Sequence, residues 1–208
     1  MIIPRFRLYL FDVDGTLTDS AEDICGAIGV TLARRGHPPQ SFEFLRSFIG
    51  RHLTEMFCEC IPGVSEAEVS GLIEDYRQTY WAREHASTRL YPGVAEAMPR
   101  IPGLKSTATT KGTPTTRIVL EKFGLLPYFD HVQGTDGFPA KPAPDVIERS
   151  LQRFAVDPAD VLMVGDAPAD VLAARAAGIQ CCAVRYGYGN PAHMEPDFWI
   201  DSLAELAG

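Results

Sequence analysis

Phe11-Asp12-Val13-Asp14-Gly15-Thr16-Leu17-Thr18-Asp19 follows directly on an apolar-rich run, Phe6 to Phe11. It sets two carboxylates two residues apart where a strand gives out into a glycine-containing loop. Side chains alternate along a strand, so Asp12 and Asp14 share a side as long as the backbone stays extended. The tip of a strand in an open α/β sheet is where ligands sit. Two acids that close repel each other unless a cation or a shared proton intervenes. Hard oxygen ligands suit Mg²⁺, so the stretch reads as a Mg²⁺ site. The competing reading is an acidic turn, in which Asp and Gly serve the turn itself.

Outward from this stretch, strands and helices alternate. Arg5 to Phe11 is expected as the first strand. Ser20 is expected to cap a helix with Glu22 and Asp23 in its first turn and an apolar stripe of Ile24, Ile28 and Leu32. Gly36-His37-Pro38-Pro39 ends it. Shorter helical pieces follow near Glu43 to Phe48 and His52 to Glu59. Ser65 and Glu68 form a capping box for a second long helix, striped by Val69, Leu72, Ile73, Tyr76 and Tyr80. Nothing from Thr18 to about Ala86 reads as a strand.

After Tyr91-Pro92-Gly93 the pattern changes. Leu104 to Thr109, His131 to Gly134, Val161 to Val164 and Ile179 to Val184 are expected strands. Helices are expected from Thr113 to Gly124, Pro144 to Phe154 and Ala167 to Ala177, with a short one capped by Ser202 and Glu205. Such alternation implies a doubly wound parallel sheet. The helical block therefore interrupts an α/β domain just after its first strand. The expected division is a catalytic core of residues 1–17 and 87–208 and an inserted helical cap of residues 18–86, lying over the strand tips to exclude water.

The bulk numbers fit one domain carrying an insert: 208 residues, 46% of them hydrophobic. No apolar run reaches transmembrane length, and Met1 to Arg7 lacks the apolar segment of a secretory signal, so a cytoplasmic location and no membrane partner are expected. A net charge of −8 argues against nucleic acid as a partner. Five cysteines without a regular framework point to reduced thiols. Cys58-x-Cys60 has no second pair at zinc spacing.

Three further segments end strands with polar residues: Thr107-Ala108-Thr109-Thr110-Lys111, Ala140-Lys141-Pro142 and Val164-Gly165-Asp166-Ala167-Pro168-Ala169-Asp170. In a parallel sheet all three converge on the tip that bears Asp12. Taken in order, these motifs resemble those of haloacid-dehalogenase-superfamily phosphatases with a helical cap after the first motif, close to the phosphoglycolate phosphatase-like group. Gly187-Tyr188-Gly189 and Ile200-Asp201-Ser202 resemble that group too, and the likeness runs over essentially the whole chain.

The resemblance implies a Rossmann-like parallel-sheet core and a set of roles. Asp12 is the nucleophile that forms an aspartyl-phosphate, with its other oxygen on Mg²⁺. Asp14 protonates the leaving oxygen and then activates water, and its backbone carbonyl is a further Mg²⁺ ligand. Asp166 completes the Mg²⁺ site, and Asp170 is a supporting partner or a ligand. Lys141 meets the transferring phosphoryl group and Asp12. Thr109 gives a hydroxyl to a phosphate oxygen. Thr110 stands where the family often has Asn, which leaves its phosphate or substrate contact open.

Arg51, in Phe48-Ile49-Gly50-Arg51-His52, resembles part of the family's specificity loop and reads as an anion binder. Asp14 favours phosphoryl chemistry over dehalogenation, since a halide leaves without protonation. No lysine occurs from Met1 to Leu104, which removes the Schiff-base chemistry of phosphonatases. The expected function is Mg²⁺-dependent hydrolysis of a small organic phosphate ester, with phosphoglycolate the leading substrate. A phosphosugar mutase and a non-catalytic binding protein on the same fold stay open as alternatives.

Overall fold

The structure, a computed structural model, describes residues 3–207, so residues 1–2 and 208 of the expected core lie outside it. The central strand is β1 (Leu8–Phe11), every side chain of which is buried. After it come the two-residue strand β2 (Thr18–Asp19), the helices α1 (Ala21–Arg34), α2 (Phe42–Arg46), α3 (Leu53–Cys60) and α4 (Glu66–Ala82), and β3 (Arg89–Leu90). The remainder is α5 (Val94–Ala97), β4 (Leu104–Thr107), α6 (Thr113–Lys122), α7 (Asp145–Phe154), β5 (Val161–Gly165), α8 (Pro168–Ala176), β6 (Gln180–Val184) and β7 (Phe198–Ile200).

Five strands form one parallel sheet in the order β4-β1-β5-β6-β7. Strands that read as unbroken apolar runs are those with both faces covered. Here Tyr9, Phe11, Leu162 and Val164 face Val94, Met98, Val119 and Leu120 on one side. Leu8, Leu10, Val161 and Met163 face Val146, Ile147, Val171 and Ala174 on the other. Each such fully buried side chain contributes roughly 1.5–3 kcal/mol of transfer free energy. The connection from β1 leads to β4 on one side and that from β5 leads to β6 on the other, so the crevice at the β1/β5 tips is the topological switch point.

The helical block has its own apolar core, built from Ile24, Ile28, Leu32, Leu45, Phe57, Leu72 and Tyr80 among others. Its two connections run side by side as an antiparallel pair, Thr18 opposite Leu90 and Asp19 opposite Arg89. No strand reads from sequence at Thr18–Asp19, because a two-residue strand has no period and exists only through its partner. Asp23, fully buried in α1, ties the same junction together. Its carboxylate accepts hydrogen bonds from Arg83 Nε (3.0 Å), the Ser87 and Thr88 N–H groups (3.0 and 2.8 Å) and the Thr88 hydroxyl (2.8 Å). Among the described residues, no helix is long and apolar enough to cross a membrane.

Several local expectations are corrected. Ser20 does not cap α1 with its side chain; its hydroxyl donates to Asp14 Oδ1 at 2.6 Å instead. Ser65 accepts from the Glu68 N–H, but the Glu68 carboxylate turns to His37, 3.2 Å away. The segment expected as a strand at His131 makes a single bridge to Ser106. Beyond it, the Thr107 hydroxyl donates to Gln133 O and accepts from Gln133 N–H, replacing the ladder with side-chain bonds. That explains why β4, an edge strand, carries Lys105, Ser106 and Thr107. Phe198–Ile200 is a strand not expected from sequence, and the capping box of Ser202 and Glu205 closes a 3₁₀ turn, Leu203–Leu206, rather than an α-helix.

Burial alone would raise the Asp23 pKa, but the Thr88 hydroxyl, Arg83 and the two backbone donors outweigh it and hold the carboxyl below its usual range. A depressed carboxyl stabilises the fold above its unfolded pKa and loses that contribution as pH falls through the folded value. Asp23→Ala is therefore expected to cost about 3 kcal/mol near neutral pH, with the cost shrinking below about pH 4. Urea melts of both proteins across pH check this, and a pH-independent or negligible difference would contradict it.

Candidate active site

Four loops meet at the switch point. At the end of β1 the Asp12 N–H still donates to Val164 O (2.9 Å), after which the backbone folds so that the Leu17 and Thr18 N–H groups both reach Val13 O. Gly15 makes this turn with φ +94°, a conformation open to glycine at little cost. A Cβ there would also lie 2.3 Å from Asp166 Oδ2. Asp12 is buried, and Lys141 Nζ stands 3.0 Å from its Oδ1.

Lys141 is itself buried and donates to Ala108 O (2.7 Å) and Asp170 Oδ1 (2.5 Å). A solvated role for this lysine is therefore ruled out. Asp170 uses its other oxygen to accept the N–H groups of Asp166 (3.0 Å) and Ala167 (2.9 Å), which locks the loop after β5. With 1% exposure it is not a free first-turn acid. Asp166 accepts the Thr16 hydroxyl on Oδ1 (2.9 Å) and the Tyr188 N–H on Oδ2 (2.7 Å). Gly187 packs so tightly that a Cβ would fall 2.2 Å from Asp166 Cβ.

Asp12, Asp166 and Asp170 offer oxygens that all lie within 4.8 Å of one another. Burial pushes the Asp12 carboxyl up to about 6, although the Lys141 charge and the Thr109 hydroxyl pull it down. Burial, reinforced by the charges of Asp170 and Asp12, pushes Asp166 up to about 8. Buried Asp12 Oδ1 meets the Lys141 ammonium at 3.0 Å and, among the described residues, has no further hydrogen-bond partner. Three buried carboxylates answered by one ammonium form an all-oxygen cluster that suits a divalent cation. Asp12 and Asp166 fit as carboxylate ligands, since each Asp166 oxygen accepts a single hydrogen bond and keeps a lone pair; Asp170 Oδ2 accepts two N–H groups and its Oδ1 is paired with the Lys141 ammonium.

The Asp14 side chain stands apart from this cluster. Its Oδ1 accepts the Ser20 hydroxyl, and its Oδ2 lies 3.0 Å from Lys111 Nζ. Lys111 also donates to the Tyr80 hydroxyl at 3.0 Å, so a residue after β4 touches both the acid and α4. Burial would lower the Lys111 pKa, but Asp14 and the Tyr80 and Tyr76 phenols raise it above its ordinary value. Beyond Asp14 opens a cavity of about 420 Å³ between the helical block and the sheet, lined in part by Thr110, Lys111, Arg51, Tyr76 and Tyr80. Thr109 is buried and accepts the Lys111 N–H at 3.3 Å. Arg51 is exposed, with its guanidinium 5.0 Å from the Phe48 ring centre.

Lys111, Thr16, Ser20 and Tyr188 were not singled out as site residues from sequence. Lys111 was within reach of it, standing in the polar run Thr107 to Lys111 of a chain with few lysines. Tyr188 lies in the quoted Gly187-Tyr188-Gly189. Its hydroxyl donates to Asp19 Oδ1 (2.8 Å) and accepts the Ser20 N–H (2.6 Å).

Comparison with known proteins places the chain as a whole. The sequence model of the haloacid dehalogenase-like hydrolases matches residues 9–184. Phosphoglycolate phosphatase 1 of Pseudomonas aeruginosa is 34% identical over 96% of this chain and 78% of its own. The phosphoglycolate phosphatase of Vibrio parahaemolyticus is 33% identical, covering 96% of this chain and 94% of its own. Among solved structures, a haloacid dehalogenase-like family hydrolase from Streptococcus pneumoniae superposes with a TM-score of 0.87 at 28% identity, covering 97% of this chain and 96% of that one.

With folded pKa values of about 6 and about 8 against 3.8 for an ordinary carboxyl, Asp12 and Asp166 bind more protons folded than unfolded. Without a cation their contribution to stability therefore falls as pH rises through that window. A cation that takes the ionised pair reverses the trend. Millimolar MgCl₂ is expected to raise the melting temperature little at about pH 5 and by about 5 °C or more at about pH 8. Scanning calorimetry checks this, and an equal shift at both pH values would contradict it.

Proposed function

The chain belongs to the haloacid dehalogenase-like hydrolase family, and from that premise we propose that it hydrolyses a small organic phosphate monoester with Asp12 as the nucleophile. The observation that carries this reading is the buried Asp12 carboxylate, held beside the Lys141 ammonium at 3.0 Å and sharing a cluster with Asp166. The names of the curated relatives make phosphoglycolate the leading substrate.

In the proposed reaction an Asp12 oxygen attacks phosphorus and the bond from phosphorus to the ester oxygen breaks. Asp14 gives its proton to the departing oxygen, so the product leaves as a neutral alcohol. In the second step Asp14 takes a proton from water as that water attacks the aspartyl-phosphate. Phosphate is released and the Asp12 carboxylate restored. Lys141 and the Thr109 hydroxyl offset charge on the phosphoryl oxygens. Asp12, Asp166 and the Asp14 backbone carbonyl would hold a divalent cation, proposed to be Mg²⁺, whose charge would let an anionic nucleophile meet an anionic substrate. Asp170 acts as a support that fixes Lys141 and the loop after β5.

The helical block, residues 18–86, serves in this reading as an inserted cap that shields the ester from bulk water. Its independent apolar core and paired connections support the division from residues 1–17 and 87–208. Arg51, at the cavity rim, serves as an outer anion contact, and Thr110 contributes a hydroxyl to the cavity wall.

A screen of small phosphate esters with MgCl₂ is expected to show turnover, with phosphoglycolate leading in kcat/KM. Asp12→Asn should abolish it. Asp14→Asn should lower kcat by about 10²–10⁴-fold on an alkyl phosphate. With p-nitrophenyl phosphate, whose leaving group needs no proton, the same variant should release a burst of nitrophenolate and then stall. Full activity in Asp12→Asn, or no turnover of any ester by the unaltered protein, would overturn the reading.

A further inference from the structure

We propose that Lys111 determines specificity by binding a carboxylate carried on the leaving-group side of the substrate. The inference rests on the phosphatase reading above and concerns a residue to which that reading gives no part. Lys111 Nζ lies 3.0 Å from Asp14 Oδ2, so its charge sits beside the group that meets the departing oxygen. A substituent one or two bonds beyond that oxygen falls within reach of the ammonium.

The donor count of the lysine leaves room for such a partner. An ammonium has three N–H donors. One is given to the Tyr80 hydroxyl and one is directed at Asp14; the third has no partner among the described residues. The Tyr80 ring centre lies 4.6 Å from Nζ, holding the ammonium from the cap side without competing for that donor.

The rest of the cavity cannot serve a buried carboxylate as well. Its cap wall is largely Phe48, Ile49, Met56 and Tyr76, which offers an anion little. Arg51 and Arg77 also line it, but both are exposed, and solvent screens their charge. The Lys111 side chain is only 8% exposed, so its hydrogen bonds form where water competes least. A volume of about 420 Å³ suits a small ester bearing a short acidic tail.

The test compares two esters of equal size: phosphoglycolate, and hydroxyacetone phosphate, in which a methyl ketone replaces the carboxylate. Lys111→Met keeps the length of the side chain and removes the charge. Its kcat/KM for phosphoglycolate should fall about 10–100-fold further than for hydroxyacetone phosphate, chiefly through KM, as expected for a lost charged hydrogen bond. Lys111→Arg should recover most of that selective loss. An equal loss on both esters would mean that Lys111 acts only on Asp14 or on the fold, and would overturn the proposal.

A binding measurement stands apart from turnover. Calorimetric titration of Asp12→Asn should show phosphoglycolate binding more tightly than hydroxyacetone phosphate, with the preference lost on adding Lys111→Met. Absence of the preference would overturn the role of Lys111, while continued hydrolysis of hydroxyacetone phosphate by the unaltered protein would leave the phosphatase reading intact.

Discussion

Asp12, Asp166 and Asp170 are held within 4.8 Å of one another inside the protein, and a single buried ammonium, Lys141, answers them. Two like charges at about 4 Å repel by about 4 kcal/mol even at an effective dielectric of 20. Much of the surrounding structure responds to that excess. Asp170 is satisfied by two backbone N–H groups and Lys141, so it serves as a fixed counterweight. Asp166 is steadied by Thr16 and the Tyr188 backbone. Asp12 Oδ1 has the Lys141 charge beside it and, among the described residues, no further hydrogen-bond partner. The sheet order makes this crowding possible, because β1 and β5 are neighbours whose tips open into the same crevice.

The helical block is joined to this cluster through short polar links. Tyr188 binds the Asp166 carboxylate with its N–H and the start of the block with its hydroxyl. Ser20, at that start, holds Asp14. On the other connection, Asp23 gathers Arg83, Ser87 and Thr88. Lys111 adds a third tie, from Asp14 to Tyr80 in α4. A shift of the block relative to the sheet therefore pulls directly on the Asp14 side chain, while the Asp12 and Lys141 side chains are paired with each other deeper inside.

Much of this was legible in the sequence because it is local. The strands are apolar runs with both faces covered, and the motif residues at their ends follow from chain order in a parallel sheet. Asp12, Asp14, Thr109 and Asp166 follow such ends, whereas Lys141 stands in the loop before α7, because the segment at His131 forms one bridge rather than a strand. What escaped depends on pairing between distant segments. Thr18–Asp19 is a strand only because Arg89–Leu90 lies beside it. Ser20 has the chemistry of a cap, yet its hydroxyl takes a carboxylate brought close by the turn at Gly15. Lys111 looks like any loop lysine until α4 covers it, and β7 is three residues long at a sheet edge, too short to show a period.

The glycines around Asp166 have a consequence for how such a protein can change. A methyl group at Gly15, Gly165, Gly187 or Gly189 would overlap Asp166 or Asp170. These positions admit no gradual variation, so the carboxylate cluster is closed to stepwise modification. The cap wall of the cavity beyond Asp14 is built in large part from ordinary apolar side chains such as Phe48, Ile49 and Met56, which can be exchanged without touching the Asp12, Asp166 and Asp170 carboxylates. The chain is thus divided into a part that descent must copy and a part that it can rewrite, and new substrates can be acquired on the second without risk to the first.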